Sequence, residues 1–218
     1  QYYYAYSQYL KDKYGEKVYK LPVNLPVTCP NKKDGKGCLF CAEAGTGFEA
    51  SDSSVSVFEQ LAASRTKVEK RYHAHKFIAY FQNYTNTFLP LDRLLGYMEE
   101  ASKVEDIVEI SISTRPDCIR QDYLEAFYEF SSRTGIEVSI ELGLQTANYH
   151  TLMEMNRGHG LAEFIDAVLR IAPYHFPVCV HMILNLPGDT MDDAEESARI
   201  LSTLPISMVK LHSLYIPK

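Results

Sequence analysis

The chain has no long apolar stretch: no run approaches the ~20 residues that a membrane-spanning helix needs, so no membrane association is expected. Its start, Gln1-Tyr2-Tyr3-Tyr4, carries neither a basic n-region nor an apolar h-region, which argues against a secretory signal. Cysteine is scarce and odd in number, five residues of which three are clustered. That pattern disfavours a secreted disulfide framework and favours metal chemistry in a reducing compartment, so a cytoplasmic protein is expected. Positive charge is short too: a net charge of -6 gives no overall attraction to nucleic acid, and any RNA contact would need a local basic patch or a further segment. An initiator Met is lacking, and the chain ends at Ile216-Pro217-Lys218 directly after an apolar run, from which a missing C-terminal segment is expected. What remains is ordinary globular composition, 46% hydrophobic and 23% charged over 218 residues, which suits one sizeable domain.

The densest chemistry lies in one loop, Thr28-Cys29-Pro30-Asn31-Lys32-Lys33-Asp34-Gly35-Lys36-Gly37-Cys38-Leu39-Phe40-Cys41-Ala42-Glu43-Ala44-Gly45. Three thiols at Cys-x8-Cys-x2-Cys spacing, with glycines and a proline that let the backbone fold back, can point inward and hold a metal. A structural zinc site is closed by four protein ligands. No fourth Cys or His lies in the loop, and the next candidates are His73 and His75. A 4Fe-4S cluster on three thiolates instead leaves one iron open for a small molecule. From the loop alone, a zinc knuckle and unrelated cysteines stay open as alternatives. Cys118 and Cys179 read as buried small hydrophobes.

Residues 1–15 carry Tyr2, Tyr3, Tyr6, Tyr9 and Leu10 at mixed helical spacing, which predicts a short packed helix; 17–27 reads as a first strand broken by Pro22 and Pro26. Residues 54–70 read as a helix with Val57, Leu61 and Val68 on one face. Strands then alternate with helices, the strands at 77–82, 107–114, 137–145, 178–186 and 208–216 and the helices at 91–103, 121–132, 149–155, 161–171 and 191–204. Such alternation predicts a parallel sheet with crossover helices. In three strands one face is polar or small. Val108, Ile110 and Ile112 oppose Glu109, Ser111 and Ser113; Val138, Ile140, Leu142 and Leu144 oppose Ser139, Glu141, Gly143 and Gln145; Val178, Val180, Met182 and Leu184 oppose Cys179, His181, Ile183 and Asn185. A doubly wound sheet wants both faces apolar. The pattern predicts a curved sheet with helices outside and a wet concave interior: an α/β partial TIM barrel of six parallel strands.

In βα barrels chemistry gathers at the C-terminal strand ends, and every later strand here ends in polar residues. These are residues 82–87, Ser113-Thr114-Arg115-Pro116-Asp117, Glu141 to Thr146 followed by Asn156-Arg157-Gly158-His159, His181 to Gly188, and Lys210-Leu211-His212. Together with the cysteine loop, these segments resemble the radical SAM superfamily, in particular its Elongator catalytic-subunit-like subgroup, whose first cysteine gap is long. The resemblance covers residues 14–216. It implies one radical SAM core domain over residues 1–218 with a helical extension at 1–15, and a 4Fe-4S cluster held by Cys29, Cys38 and Cys41. It further implies S-adenosyl-L-methionine (SAM) chelated at the open iron and cleaved reductively to a 5′-deoxyadenosyl radical. Carried over by position, Phe40 packs near adenine, Ser113 and Gln145 meet the ribose, Arg157 partners the SAM carboxylate, and His181 stands where some relatives have Asp. Gln82 and Asn83 stand where many members have Gly-Gly-Glu for the methionine amino group. The missing glycines and acid leave that recognition open to backbone carbonyls.

The residues also carry plainer readings. Arg115 bridges Asp117 in a turn, Glu141 pairs Lys210 inside the barrel, Gly188 after Pro187 is turn chemistry, and residues 156–159 are a helix end with a glycine cap. For the whole, the resemblance implies an enzyme served by a reductant such as flavodoxin or ferredoxin, with tRNA wobble uridine as a recurrent substrate of the subgroup. Lys32, Lys33 and Lys36, with the run Lys67, Lys70, Arg71, His73, His75 and Lys76, would serve phosphates if the barrel put both on one rim. The alternatives are a cluster- and SAM-binding sensor or scaffold without turnover, and an enzyme that modifies a small metabolite or a protein.

Overall fold

The computed structural model describes residues 3–35, 37–41 and 51–214. Lys36 and the loop end 42–45 fall outside them, as do Tyr2 and the expected strand residues 215–216. The elements run α1 (Tyr6–Tyr14), β1 (Val18–Val23), α2 (Pro30–Lys33), α3 (Val57–Tyr72), β2 (Lys76–Phe81), α4 (Leu91–Ser102), β3 (Ile107–Thr114), α5 (Gln121–Thr134), β4 (Glu137–Gln145), α6 (Tyr149–Glu154), α7 (Leu161–Ile171), β5 (Val178–Leu184), α8 (Met191–Ser202) and β6 (Met208–Ser213). All neighbouring strands pair in parallel in the order β1-β2-β3-β4-β5-β6. The predicted alternation is therefore present, with first, fifth and last strands shorter than expected. Ser56 starts α3 through a reciprocal capping box with Glu59, which places that helix three residues later than the hydrophobic pattern suggested.

The sheet curls into a half-barrel with helices around it. Cross-barrel contacts demonstrate the curl: Lys20 of β1 and Lys210 of β6 both reach the Tyr80 ring on β2, at 4.3 and 5.4 Å from its centroid. In a flat sheet β6 and β2 would stand about 19 Å apart, four spacings of ~4.8 Å, beyond the reach of these side chains. The outer face buries Phe77, Ile110, Ile140, Leu142 and Val180 against the helices in one core. Val108 departs from its expected set. A register shift at Phe77/Ile78 opposes Ile78 to Glu109, so Val108 leaves the outer face and packs with Leu10, Val18 and Ile78; an extra residue in one strand reverses the side on which its neighbours emerge.

The inner face is polar, as the alternation predicts, but it is not wet at depth: Ser111, Ser139 and Glu141 are buried. The cause is α1, which covers the N-terminal strand ends with Leu10 and the rings of Tyr6, Tyr9 and Tyr14. The Tyr14 hydroxyl shares its one hydrogen between Glu109 at 2.6 Å and Glu137 at 2.8 Å, and Lys13 pairs with both carboxylates. One end of the barrel is thus capped down to a cavity of about 20 Å³, and the main cleft lies at the other.

Candidate functional site

At the C-terminal strand ends a cleft of about 130 Å³ is lined by Cys29, Cys38 and Cys41 on one side and by Ser113, Gln145, Arg157 and His181 on the other. Phe40, Gly143, Glu141, Tyr84 and Thr85 complete most of its wall. A larger groove of about 560 Å³ runs between α8 and the last two strands, but residues such as Leu201, Ile206 and Leu211 line it and no charged side chain is among its lining residues.

The cysteine loop owes its shape to local geometry and to one docking node. Cys29 precedes α2, a single turn that the sequence reading did not foresee, and its carbonyl accepts from Lys32 and Lys33 N–H at 3.1 and 3.0 Å. The Cys41 N–H donates to the Cys38 carbonyl at 3.0 Å, closing the x2 turn. All three thiols are free of disulfides. Burial pushes the Cys41 thiol up, against the opposing charge of Lys32.

Asn31 is the node. Its amide donates to the carbonyls of Asn156 and Arg157 at 2.6 and 2.9 Å and to Cys38 Sγ at 3.3 Å, while its oxygen accepts from Arg115 Nη1 at 2.6 Å. Arg115 does bridge Asp117, at 2.9 and 2.7 Å, and its remaining edge holds Asn31 and the Gly158 carbonyl. A Cβ on Gly158 would stand 2.4 Å from Asn31 Oδ1, so only glycine admits this contact. The segment is also a helix end, as one reading held. Arg157 N–H reaches the Leu152 carbonyl at 2.9 Å and Asn156 N–H the Met153 carbonyl at 3.0 Å, a Schellman pair. The left-handed residue in it is Asn156, at φ 52°, rather than a glycine.

Arg157 turns into the cleft and is 7% exposed. Its Nη1 lies 3.6 Å from Cys38 Sγ, its Nη2 donates to the Gly143 carbonyl, its guanidinium stands 5.8 Å from the Phe40 ring, and its buried Nε has no partner among the described residues. A Cβ on Gly143 would come within 2.7 Å of both Arg157 Nη2 and Gln145 Nε2. Gln145 holds φ 82°, a conformation rare outside glycine and concentrated at functional sites. His159, beside Arg157, has its imidazole pushed down to about 4 by burial and then by the Arg157 charge.

Glu141 anchors the floor. It accepts from Tyr80 at 2.7 Å, Ser111 at 3.2 Å and Lys20, and it meets His181 Nε2 at 2.6 Å. The expected pairing with Lys210 is corrected: the curl carries β1 across the interior, and Lys20 takes that carboxylate. Burial alone would raise Glu141, but the His181 hydrogen bond and the charges of Lys20 and Lys210 hold it well below the usual carboxylate range. Ser113 donates to the Tyr80 hydroxyl at 3.2 Å. Cys118 and Cys179 are half-buried rather than buried, with thiols pushed up to about 12 by burial.

Eight of the ten residues singled out from the sequence line this one cleft; Gln82 and Asn83 are not among its lining residues. Asn83 is buried and donates to Asn24 at 2.6 Å, and the Gln82 N–H continues the ladder onto the Val23 carbonyl. Tyr84, at φ 55°, and Thr85 take the place at the rim. The polar run 82–87 was a correct signal, but period-two counting stops where β2 ends. Gly188, at φ 93°, sits in the turn closed by Asp189 N–H on the Leu186 carbonyl, as turn chemistry requires. Among the described residues, the two basic groups occupy opposite rims. Lys76 opens β2 in register with Val18 at the start of β1, whereas the cysteine loop follows the end of β1. Lys76 pairs there with Glu16 and His75 with Glu69, while Lys32 and Lys33 cover the rings of Tyr84 and Phe88 at the cleft end.

The model of the radical SAM superfamily matches residues 23–201. The uncharacterized protein MJ0486 of Methanocaldococcus jannaschii is 33% identical over 98% of this chain and 66% of its own length, and the protein YhcC of Escherichia coli 35% identical over 96% and 67%. The chain thus spans about two thirds of these relatives. A tRNA-2-methylthio-N(6)-dimethylallyladenosine synthase of Campylobacter concisus is 23% identical over 93% of the chain and 46% of its own length. Among solved structures, the Elp3 of Methanocaldococcus infernus superposes with TM-score 0.65 at 16% identity, over 90% of this chain and 45% of its own. SuiB of Streptococcus suis, solved with S-adenosylmethionine bound, gives TM-score 0.60 at 14% identity, over 97% and 45%. Such structural likenesses establish the fold, and the family model with the closer sequence relatives establishes the lineage: this chain belongs to the radical SAM superfamily.

Proposed function

We propose that this chain is the core of an enzyme that binds a 4Fe-4S cluster on Cys29, Cys38 and Cys41 and SAM in the adjoining cleft, and that it modifies tRNA. The observation that carries the cofactor reading is the convergence of three free cysteines and a buried arginine on one small cleft. The residues fit the pair of groups. Three sulfurs are offered without a fourth protein ligand from the loop, Gly143 keeps the adjoining space open, and Arg157 retains an unspent buried N–H for a carboxylate. When bound, the cluster would supply the electron that cleaves SAM reductively, drawn from a donor such as flavodoxin or ferredoxin. Arg157 would orient the methionine carboxylate by a charge-assisted hydrogen bond, Gln145 and Ser113 would hold the ribose, and Phe40 would cover the adenine. His181 stands on the cleft floor, fixed by Glu141.

The tRNA reading draws support from the name of the Campylobacter relative and from Lys32 and Lys33 at the cleft end. The Elongator-like subgroup and its wobble-uridine target are what the sequence resemblance implies, and the likeness to Elp3 at 16% identity supports the fold alone. One experiment tests the reading in two stages. Anaerobic reconstitution should load iron and sulfide into the wild type and release 5′-deoxyadenosine from SAM on reduction. Cys38→Ala should lose most of the iron, since two anchors remain, and a full complement in that variant refutes the cluster assignment. Nucleoside mass spectrometry of bulk tRNA from cells with and without the gene then reads the substrate; identical profiles remove tRNA.

A further inference from the structure

We propose that Lys210 and His212 of β6, with His181 of β5, form a station for an anionic group of the substrate, a carboxylate or a phosphate, at the open edge of the half-barrel beside the cleft, which His181 alone of the three lines. It rests on the reading above for the premise that the cleft takes a substrate.

Along β6 the side chains alternate. Val209 and Leu211 are exposed on the outside, while Lys210 and His212 are half-buried and their side chains turn inward, to the Tyr80 ring and to His181. The Lys210 ammonium stands over the Tyr80 ring and acts on Glu141 by its charge, but forms no close ion pair among the described residues. Glu141 offers it no direct hydrogen bond. That carboxylate already receives Lys20, Tyr80, Ser111 and His181, which occupies both oxygens. Around Glu141, then, two ammonium ions face one carboxylate before either imidazole is protonated, and Arg157 adds a cation to the same cleft, whereas Glu109, the other buried acid of the inner face, is engaged by Lys13 and Tyr14. In a partly buried cleft such an excess is weakly screened and draws an anion.

The imidazoles add a directed position that becomes a donor on protonation. His181 gives its Nε2 hydrogen to the ionised Glu141, so its Nδ1 accepts from His212 Nε2 at 3.3 Å. This order leaves His212 Nδ1 without a partner among the described residues. On taking up a proton from solvent, or from a phosphate monoanion, it becomes a donor toward a ligand. Alternate side chains on one strand face are about 7 Å apart at the backbone, and the flexible lysine stem can close that span around a carboxylate or phosphate. The imidazole of His212 is pushed down to about 4 by burial and then by His181 and Lys210; the field that resists its protonation is the one an anion would relieve. Cys179 also approaches Glu141 and His181, with their ligand atoms within 4.8 Å of one another. A cation is disfavoured there, because the thiol is held protonated and two ammonium ions stand close by.

Equilibrium dialysis of the reconstituted chain with inorganic phosphate and, separately, acetate tests the station. Saturable binding of at least one probe is expected, and the tighter of the two indicates phosphate or carboxylate as the substrate group. Lys210→Met should weaken it about tenfold to a hundredfold, the worth of one hydrogen bond to a charged group; His212→Gln should weaken it less, and exposed Lys67→Met not at all. Non-saturable uptake, or equal affinity in wild type and Lys210→Met, overturns the proposal. Stoichiometric displacement of the probe by SAM also overturns it, because the station would then belong to the carboxylate of SAM. Iron and sulfide content are read in the same samples. Lys210→Met should match wild type there, so a failed cluster assignment is distinguishable from a failed station.

Discussion

Gly158 has two constraints at one atom. Its φ of 78° suits glycine, and any Cβ would overlap Asn31 Oδ1. Strain of this kind costs of order 1–3 kcal/mol, and overpacking adds a similar amount. Gly158→Ala should therefore lower the unfolding free energy by about 2–6 kcal/mol and loosen the hold on the cysteine loop, read as faster loss of iron to a chelator. Asn31→Ala removes the obstructing oxygen, so the double variant should be less destabilised than the sum of the single changes. Strict additivity in urea melts would show that the contact is not formed. None of this was legible in the sequence, where Asn31 is one polar residue in a lysine-rich loop and Gly158 reads as a cap. Arg115 was only half legible: its partner two residues on was expected, its partner 84 residues away was not.

The helix α1 illustrates how an element acquires a role its periodicity cannot state. Its spacing predicts packing, and the rings do pack. That it closes the N-terminal end of the barrel, and with Lys13 and Tyr14 supplies donors to the buried Glu109, follows only from its place under the strands. Tyr14→Phe leaves Glu109 one donor short, a loss of about 1–3 kcal/mol for a buried acceptor. The urea midpoint should fall accordingly with an unchanged slope, and a change below about 0.5 kcal/mol would assign the ring to packing alone. Strand β3 offers the complementary case. Its alternation gave the right face for Ile110, Ser111, Ile112 and Ser113, and failed at Val108, where one bulged residue breaks the count.

Over the whole molecule, buried ionisable groups set an acid limit to stability. His159 titrates near 4 in the fold, against about 6.5 unfolded, so between those values the unfolded chain binds more protons. Its contribution is complete above about pH 6.5 and is lost as pH falls toward 4, at most about 3 kcal/mol for such a shift. His212 acts in the same window, less strongly because it is more exposed. Glu141, depressed in the fold, adds stability present above its unfolded value of about 4.3 and lost below it. The melting temperature should thus decline in two stages on acidification, the upper one flattened in His159→Gln and the lower one in Glu141→Gln; a melting temperature constant from pH 7 to 4.5 would contradict the buried neutral His159. By itself the sequence determined the parallel six-strand βα order, the polar concave face and the three-cysteine loop, because each is written in spacing over a few adjacent residues. The tertiary structure alone decided that Lys20 and not Lys210 takes Glu141, that Tyr84 and Thr85 line the cleft in place of Gln82 and Asn83, and that the two basic groups lie on opposite rims. Those outcomes depend on sheet curl, on bulges and on the common direction of parallel strands, which join residues tens of positions apart and leave no periodic trace in the chain.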